Sequence, residues 1–294
     1  MKMTNWLTYT LITTFLWGVW GAFAGFPGQN GFPETLVYVV WAISMVPPAV
    51  FVMARTGWRL RWDARSCLLG LAIGALGAGG QMVLFYAVKE GPTYLIFPII
   101  SMSPVITIAL SYAFLGERTG AMGVVGIALA ICALPLFDYA PGQGAHVYGS
   151  WFLLAIGVLA AWGLQAYFIK LANATMNAES IFFYMTVSGL LFVPIALYMT
   201  DFSRPINYGL DGPYLAGATQ LLNAIGALTL VYAFRYGKAM VVSPLVNAGA
   251  PLLTTIISMA WVATMPNGYK LAGIGLSLAA ALFLALQPEE PVAA

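Results

Sequence analysis

Long apolar stretches follow one another along nearly the whole chain, and they restrict its fold more than any other feature of the sequence. A helix of roughly 20 residues spans the hydrocarbon core of a bilayer, which is about 30 Å thick. Only 7% of the residues are charged and 61% are hydrophobic, which leaves too little polar surface to cover a soluble globule. We therefore expect an all-α integral membrane protein with ten transmembrane helices, at residues 6–25, 35–54, 67–88, 93–115, 121–137, 149–170, 179–200, 213–234, 239–262 and 269–287.

The basic residues predict the orientation of these helices, because cytoplasmic loops of membrane proteins retain lysine and arginine. If the N-terminus is cytoplasmic, only Lys89, Arg204 and Lys270 fall outside, and the remaining basic residues fall inside. Ten helices then place both termini in the cytoplasm. No A-x-A-like cleavage site follows the first apolar segment, so we expect a retained helix and not a signal peptide. A net charge of +2 gives no indication of nucleic-acid binding.

The chain contains an internal repeat. The segment WGVWGAFAG, residues 17–25, is echoed by WGLQAYFIK, residues 162–170. Likewise FYAVKEGPTYLIFP, residues 85–98, aligns without a gap to VYAFRYGKAMVVSP, residues 231–244. This alignment pairs Pro98 with Pro244, and after one inserted residue it pairs Pro104 with Pro251. We therefore divide the chain into two five-helix repeats, residues 1–145 and 146–294.

An odd number of helices in each repeat has a topological consequence. If the first repeat begins in the cytoplasm, the second must begin outside, so the two repeats are inverted. Inverted repeats around a site at the bilayer midplane are a recurrent construction of secondary transporters, in which one half rocks against the other. The repeat therefore predicts transport by alternating access.

In these features the chain resembles the drug/metabolite transporter superfamily, and within it the ten-helix EamA branch. The resemblance is carried by the two Trp-Gly pairs, Lys170 at the end of the second copy, the prolines of helices four and nine, and FLGER at residues 114–118. It implies a multi-pass protein of a bacterial-type inner membrane, with helices one, three, four, six, eight and nine around a central cavity. The chain departs from the pattern at Gly25, where the family often has lysine, and at WVATM, residues 261–265, which replaces a second acidic turn.

The candidate substrate-binding residues are neutral, because all ten acidic residues map to helix ends or loops. Amides, hydroxyls and aromatic rings remain within the predicted helices. Interhelical hydrogen bonding and packing are the ordinary alternatives for these side chains, whereas a shared cavity would let the rings stack on a planar group or attract a cationic amine. The candidates are Trp17, Trp20, Gln81, Tyr86, Tyr94, Ser101, Trp162, Gln165, Tyr167, Asn223 and Asn247.

The prolines and one lysine complete the candidate site. Pro98, Pro104, Pro244 and Pro251 are expected to break or hinge helices four and nine, because proline removes a backbone hydrogen bond, and such irregular backbone is tolerated where it lines a cavity. Lys170 could contact an anionic group of the substrate, or its side chain could simply reach the interface. We assign no role to His146, which lies in a predicted external loop.

The leading hypothesis is a secondary transporter that exports a small organic metabolite, and the resemblance favours an amino acid or related amphipathic solute. Uptake of a sugar or a quaternary amine is the alternative, and a scaffold or sensor without transport is a more distant one. We expect no enzyme activity, cofactor or metal, since no paired carboxylates, metal ligands or activated nucleophile can be assembled within the helices. The expected partners are the solute and membrane lipid, in a monomer or homodimer. The solute, the direction and the coupling ion are open.

Overall fold

The computed structural model describes residues 5–90, 93–138, 149–262 and 267–286, and these residues form helices without any strand. Proline and glycine residues interrupt the apolar segments, so several of the predicted spans are built from two shorter helices. The helices are α1 (Asn5–Phe23), α2 (Phe26–Gln29), α3 (Glu34–Ser44), α4 (Val46–Arg55), α5 (Ala64–Glu90), α6 (Thr93–Ser101), α7 (Ser103–Phe114), α8 (Ala121–Asp138), α9 (Ser150–Ala172), α10 (Ala178–Leu191), α11 (Val193–Met199), α12 (Leu215–Tyr236), α13 (Ala239–Val262) and α14 (Gly268–Leu286), with a π-helical turn at Leu210–Tyr214 before α12.

Within the described residues, seven helical segments are long and apolar enough to cross a bilayer. They are Asn5–Gln29, Glu34–Arg55, Ala64–Ala87, Ser150–Ala172, Ala178–Met199, Leu210–Tyr236 and Ala239–Trp261. Three further apolar helices are shorter, at Ile99–Phe114, Ala121–Leu136 and Gly268–Leu284. The all-helical, multi-pass membrane fold is therefore confirmed, whereas the number of ten crossings, their inversion and the side of the termini stay predictions.

Prolines interrupt three of these segments. One break lies at Met45 before Pro47, another at Met102 before Pro104, and a third at Phe192 before Pro194. In each case the proline occupies the first turn of the following helix, where its missing N–H has no intrahelical partner to lose. The predicted break of helix four is thus present, although it lies at Met102 and not at Pro98, which stands inside α6.

The predicted break of helix nine is wrong, because α13 runs without interruption through Pro244 and Pro251. Proline inside a membrane helix is tolerated where neighbouring helices pack around it. Helix α13 packs against α1, α7, α8 and α14, and Pro244 is buried. The two copies of the proline pair therefore differ in backbone structure, and a hinge role for either pair stays a prediction.

The helices pack in pairs that correspond when the two repeats are exchanged. Helix α1 lies against α12 and α13, and α9 lies in the same way against α5, α6 and α7. Helix α3 packs on α12, as α10 packs on α5, and α8 packs on α14. The first helix of each repeat therefore packs mainly against helices of the other repeat, which brings α1 together with α12 and α13 from the second repeat.

Candidate functional site

The tryptophan of each Trp-Gly pair makes the same contact in both copies. Trp17 Nε1 donates a hydrogen bond to the carbonyl oxygen of Asn223 at 3.2 Å, and Trp162 Nε1 donates to that of Gly77 at 3.4 Å. Asn223 and Gly77 are paired when the alignment of residues 85–98 with 231–244 is continued upstream without a gap. Both indoles therefore bind one helix to another.

The glycine of each Trp-Gly pair also makes the same contact in both copies. Thr254 Oγ1 donates to the Gly18 carbonyl at 2.9 Å, and Thr107 Oγ1 donates to the Gly163 carbonyl at 3.0 Å. A Cβ atom at Gly18 would lie 2.6 Å from Leu253 Cβ, so only glycine permits this approach of α1 to α13. Gly163 has the equivalent close approach to Ile106, where the distance from an added Cβ to Ile106 Cβ would be 2.7 Å.

These contacts define two helical units that do not coincide with the two repeats. We call α1, α12 and α13 the Trp17 unit, and α5, α7 and α9 the Trp162 unit. Sequence reasoning missed Thr107 and Thr254, although a signal was present: each lies three residues after the matched prolines Pro104 and Pro251 in its own copy.

Several predicted binding residues lie where the helices of one unit contact one another, and we call this contact region the seam of the unit. In the Trp162 unit, Gln165 on α9 packs against Gly77 on α5. Gln81 follows one turn later on α5, is half-buried, and makes no hydrogen bond with the part of the chain that the structure describes. In the Trp17 unit, Asn223 Nδ2 donates to Gln220 Oε1 at 3.2 Å beside Trp17.

Trp20 occupies the place in the first copy that Gln165 occupies in the second. Its indole nitrogen is buried and has no hydrogen-bond partner among the described residues. A buried donor without a partner costs about 1–3 kcal/mol. The Trp20 indole nitrogen is thus an unsatisfied donor, available to a polar solute or to water.

The remaining predicted residues are more dispersed. Asn247 Nδ2 donates to Ser243 O on its own helix at 2.9 Å, and Ser101 is half-buried at the end of α6. Tyr167 packs beside Phe168, and Tyr86 is 47% exposed. The side chains of Tyr94 and Pro98, and the whole of His146, lie outside the described residues.

A charged cluster joins the two units at one end of the bundle. The Glu117 carboxylate, after α7, accepts the N–H groups of Ala239 and Met240, both at 3.0 Å, at the start of α13. Lys170 Nζ, near the end of α9, donates to the carbonyls of Phe234 at 3.0 Å and Gly237 at 2.6 Å.

The two charges of this cluster also face each other. Lys170 Nζ lies 3.7 Å from Glu117 Oε1, with side chains that are 24% and 7% exposed. The anion is placed at a helix N-terminus and the cation at a helix C-terminus, where the unpaired backbone groups and the helix dipoles favour them. We call Glu117, Lys170 and these four backbone partners the Glu117–Lys170 cluster. The sequence placed Glu117 only at a helix end or loop, whereas its side chain is buried between the units.

The end of the bundle opposite the Glu117–Lys170 cluster has no lysine at the position that matches Lys170 in the repeat alignment. Gly25 pairs with Lys170 in the alignment, and among the described residues a Cβ added there would meet only Gln29 Nε2, at 3.6 Å. Residues 263–266, which align near Glu117, lie outside the described residues. The Lys170 contact therefore has no lysine counterpart at Gly25.

The protein contains two similar sets of helices, and each set combines helices from both repeats. In a multi-pass membrane fold, this arrangement defines a duplicated helical membrane protein of the transporter type. The chain belongs to the EamA-like transporter family, whose model matches it twice, over residues 4–137 and 149–286. The predicted family is therefore confirmed. Members of this family are membrane transporters and not enzymes, in agreement with the expected absence of enzyme activity.

The chain is also similar to individual proteins, among them the following two. An uncharacterized protein of Methanocaldococcus jannaschii is 37% identical over 59 residues, which are 20% of this chain and 43% of that protein's length. A protein of known crystal structure matches with a TM-score of 0.79 and 16% identity, covering 95% of this chain and 98% of the other. The second similarity shows the fold.

Proposed function

We propose that the protein is a secondary transporter that moves a small organic metabolite across the inner membrane by alternating access. In this proposal ten helices cross the bilayer as two inverted repeats. The observation that supports it most is the paired set of indole and threonine contacts at the Trp-Gly pairs. These contacts hold each set of helices together as a unit, and two rigid units of like construction can rock about a site between them.

The charged cluster supports a conformation in which its own end of the bundle is closed. The cluster connects Glu117 and Lys170 of the Trp162 unit to the ends of α12 and α13 in the Trp17 unit. By the distribution of basic residues this end is cytoplasmic. We therefore infer a conformation that is closed to the cytoplasm.

The solute is an amino acid or a related amphipathic molecule, exported from the cell. The unsatisfied Trp20 indole nitrogen and the half-buried Gln81 amide supply polar groups, and Trp17 on α1 and Trp162 on α9 supply apolar surface for a side chain. A sugar, taken up and not exported, would depend on amides such as Gln81 and Asn247 more than on the rings. A quaternary amine would show the reverse dependence, because aromatic faces attract cations.

Counterflow in proteoliposomes tests the proposal, with panels of amino acids, sugars and quaternary amines and with or without an imposed pH gradient. We expect exchange of at least one amino acid, and we expect Gln81→Ala to weaken its binding about 10-fold, the effect of one or two lost hydrogen bonds in a dry site. Leu153→Ala, at a side chain that is 72% exposed on α9, is the matched control and should leave exchange unchanged. Failure of every solute to exchange through correctly folded protein would refute transport.

A further inference from the structure

Arginine side chains line two adjoining clefts at the same end of the bundle as the Glu117–Lys170 cluster. The first cleft, of about 450 Å³, is lined by Arg59, Arg61 and Arg235 together with residues 173–177 of the α9–α10 connection. The second, of about 630 Å³, is lined by Arg55 and Arg59 with Asn177 and Glu179. Arg59 therefore belongs to both.

The backbone that carries two of these arginines is attached to the helices beneath it. Asn177 Nδ2 donates to the Arg59 carbonyl at 3.1 Å, and the Arg61 N–H donates to Ser180 Oγ at 3.1 Å. Tyr184 donates its hydroxyl hydrogen to the Arg61 carbonyl at 2.5 Å. The loop between α4 and α5 is thus held against α10, and this attachment fixes where the arginine side chains begin.

The next helix begins with a further constraint on the same loop. Asp63 Oδ1 accepts the N–H of Ser66 at 3.0 Å, and hydrogen bonds from Ser66 hold the pKa of the Asp63 carboxyl below its usual value. The Asp63 carboxylate therefore binds a backbone N–H group in the first turn of α5. Gly57 and Trp58 have φ angles of 67° and 55°, so the chain reverses sharply just before Arg59.

In the part of the protein that is described, carboxylates balance the positive charge of the clefts only in part: Glu179 lines the second cleft, and Asp63 acts electrostatically on Arg61 from outside the lining of the first. Arg61 and Arg235 donate to the carbonyls of Thr175 at 3.4 Å and Met176 at 3.1 Å, and neither forms an ion pair with a described residue. Glu179, the carboxylate in the second cleft, accepts the hydroxyl hydrogen of Tyr232 at 2.6 Å. Since a guanidinium has five donors, most of them remain available.

We propose that the cleft of Arg59, Arg61 and Arg235 binds a phosphate group of an anionic ligand. Guanidinium groups match the oxygens of phosphate in pairs, and the amides and hydroxyl of Asn173, Asn177 and Thr175 supply further donors. Trp58 and Trp62 are 57% and 74% exposed in the same loop, as is usual at a membrane surface. The phosphate of an anionic lipid headgroup and a soluble phosphate ester share this chemistry.

The site also connects the two helical units. Arg235 lies in the last turn of α12 in the Trp17 unit, whereas residues 173–177 follow α9 of the Trp162 unit. A phosphate bound between them would stabilise the conformation that is closed at this end. This consequence depends on the proposed transport cycle, but binding itself does not.

The test uses the purified full-length protein in nanodiscs of phosphatidylcholine, with or without phosphatidylglycerol, and in micelles with added glycerol 3-phosphate. Native mass spectrometry counts the ligands retained, and melting temperature reports stabilisation. We expect Arg59→Gln, Arg61→Gln and Arg235→Gln each to weaken retention about 10-fold, the effect of roughly one charge-assisted hydrogen bond. Arg65→Gln, on the first turn of α5 and outside both clefts, is the matched control.

The outcomes separate the sources of the phosphate. Stabilisation by phosphatidylglycerol alone supports a lipid headgroup, and stabilisation by glycerol 3-phosphate supports a soluble ester. The proposal is overturned if neither ligand is retained above phosphatidylcholine, or if Arg65→Gln weakens retention as much as Arg59→Gln. Arg235→Lys, which keeps the charge and the fold but loses paired donors, should fall between wild type and Arg235→Gln. A counterflow assay of these variants with the same solute as the wild type then shows whether transport survives loss of the phosphate site.

Discussion

Replacement of Glu117 by glutamine should open the end of the protein that carries the Glu117–Lys170 cluster. A glutamine oxygen can accept one of the two N–H groups that Glu117 accepts, from Ala239 or Met240, but its NH₂ group cannot accept the other. The ion pair with Lys170, now 3.7 Å long, is lost as well. Lys170 keeps its bonds to the Phe234 and Gly237 carbonyls, which limits the damage.

The magnitude follows from these losses. A hydrogen bond to a charged group contributes about 1.5–3 kcal/mol, and breaking a buried ion pair costs about 3–5 kcal/mol. Because Lys170 is 24% exposed and retains two acceptors, we expect about 2–3 kcal/mol, which is less than the cost of breaking a fully buried pair. This free energy shifts the equilibrium between closed and open conformations about 30- to 150-fold.

Cysteine labelling measures the shift. Ser243 is 3% exposed on α13, one turn inside the cluster, so Ser243→Cys in a background without Cys67 and Cys132 should react slowly with a membrane-impermeant maleimide. Glu117→Gln should raise the labelling rate by the factor given above. Glu34→Gln, at an exposed carboxylate that begins α3, is the control and should not raise it.

Two results would show that the reasoning is wrong. One is an unchanged labelling rate in folded Glu117→Gln protein, and the other is an equal rise with Glu34→Gln. Global unfolding is excluded if the melting temperature remains well above the labelling temperature. Lys170→Met should act in the same direction, and the double variant should show less than the sum of the two effects, because both substitutions remove one shared interaction.

Three further predictions follow from the seams. Gly163→Val should lower the free energy of unfolding by about 1–3 kcal/mol, because its side chain would overlap Ile106, whereas Gly157→Ala, with open space around it, should change little in the same denaturation assay. Thr254→Val should cost about 1 kcal/mol by losing the bond to the Gly18 carbonyl, and a melting temperature equal to that of wild type would contradict this role. Gln81→Ala should weaken solute binding about 10-fold in counterflow without lowering the melting temperature, and equal losses of both would indicate a packing role.

The contacts at the seams show how much of the repeat structure could be predicted from the sequence alone. The Trp-Gly pairs and matched prolines correctly indicated two related copies, because a duplicated contact leaves duplicated residue types at a constant spacing. The alignment did not reveal that Trp17 and Trp162 donate to Asn223 and Gly77, since a backbone acceptor carries no side-chain signature. It also did not distinguish α13, which is continuous through its prolines, from α6 and α7, which are separate.

The sequence by itself determined that the protein is a helical, multi-pass membrane protein of a duplicated transporter family. Hydrophobicity and repeat spacing are local properties, and a bilayer converts apolar length directly into helices. Only the tertiary structure decided that α1 joins α12 and α13 of the other repeat, and that Glu117 is buried at the start of α13. Those facts depend on contacts between residues more than 100 positions apart, such as Glu117 and Ala239, so they exist only once the helices have packed.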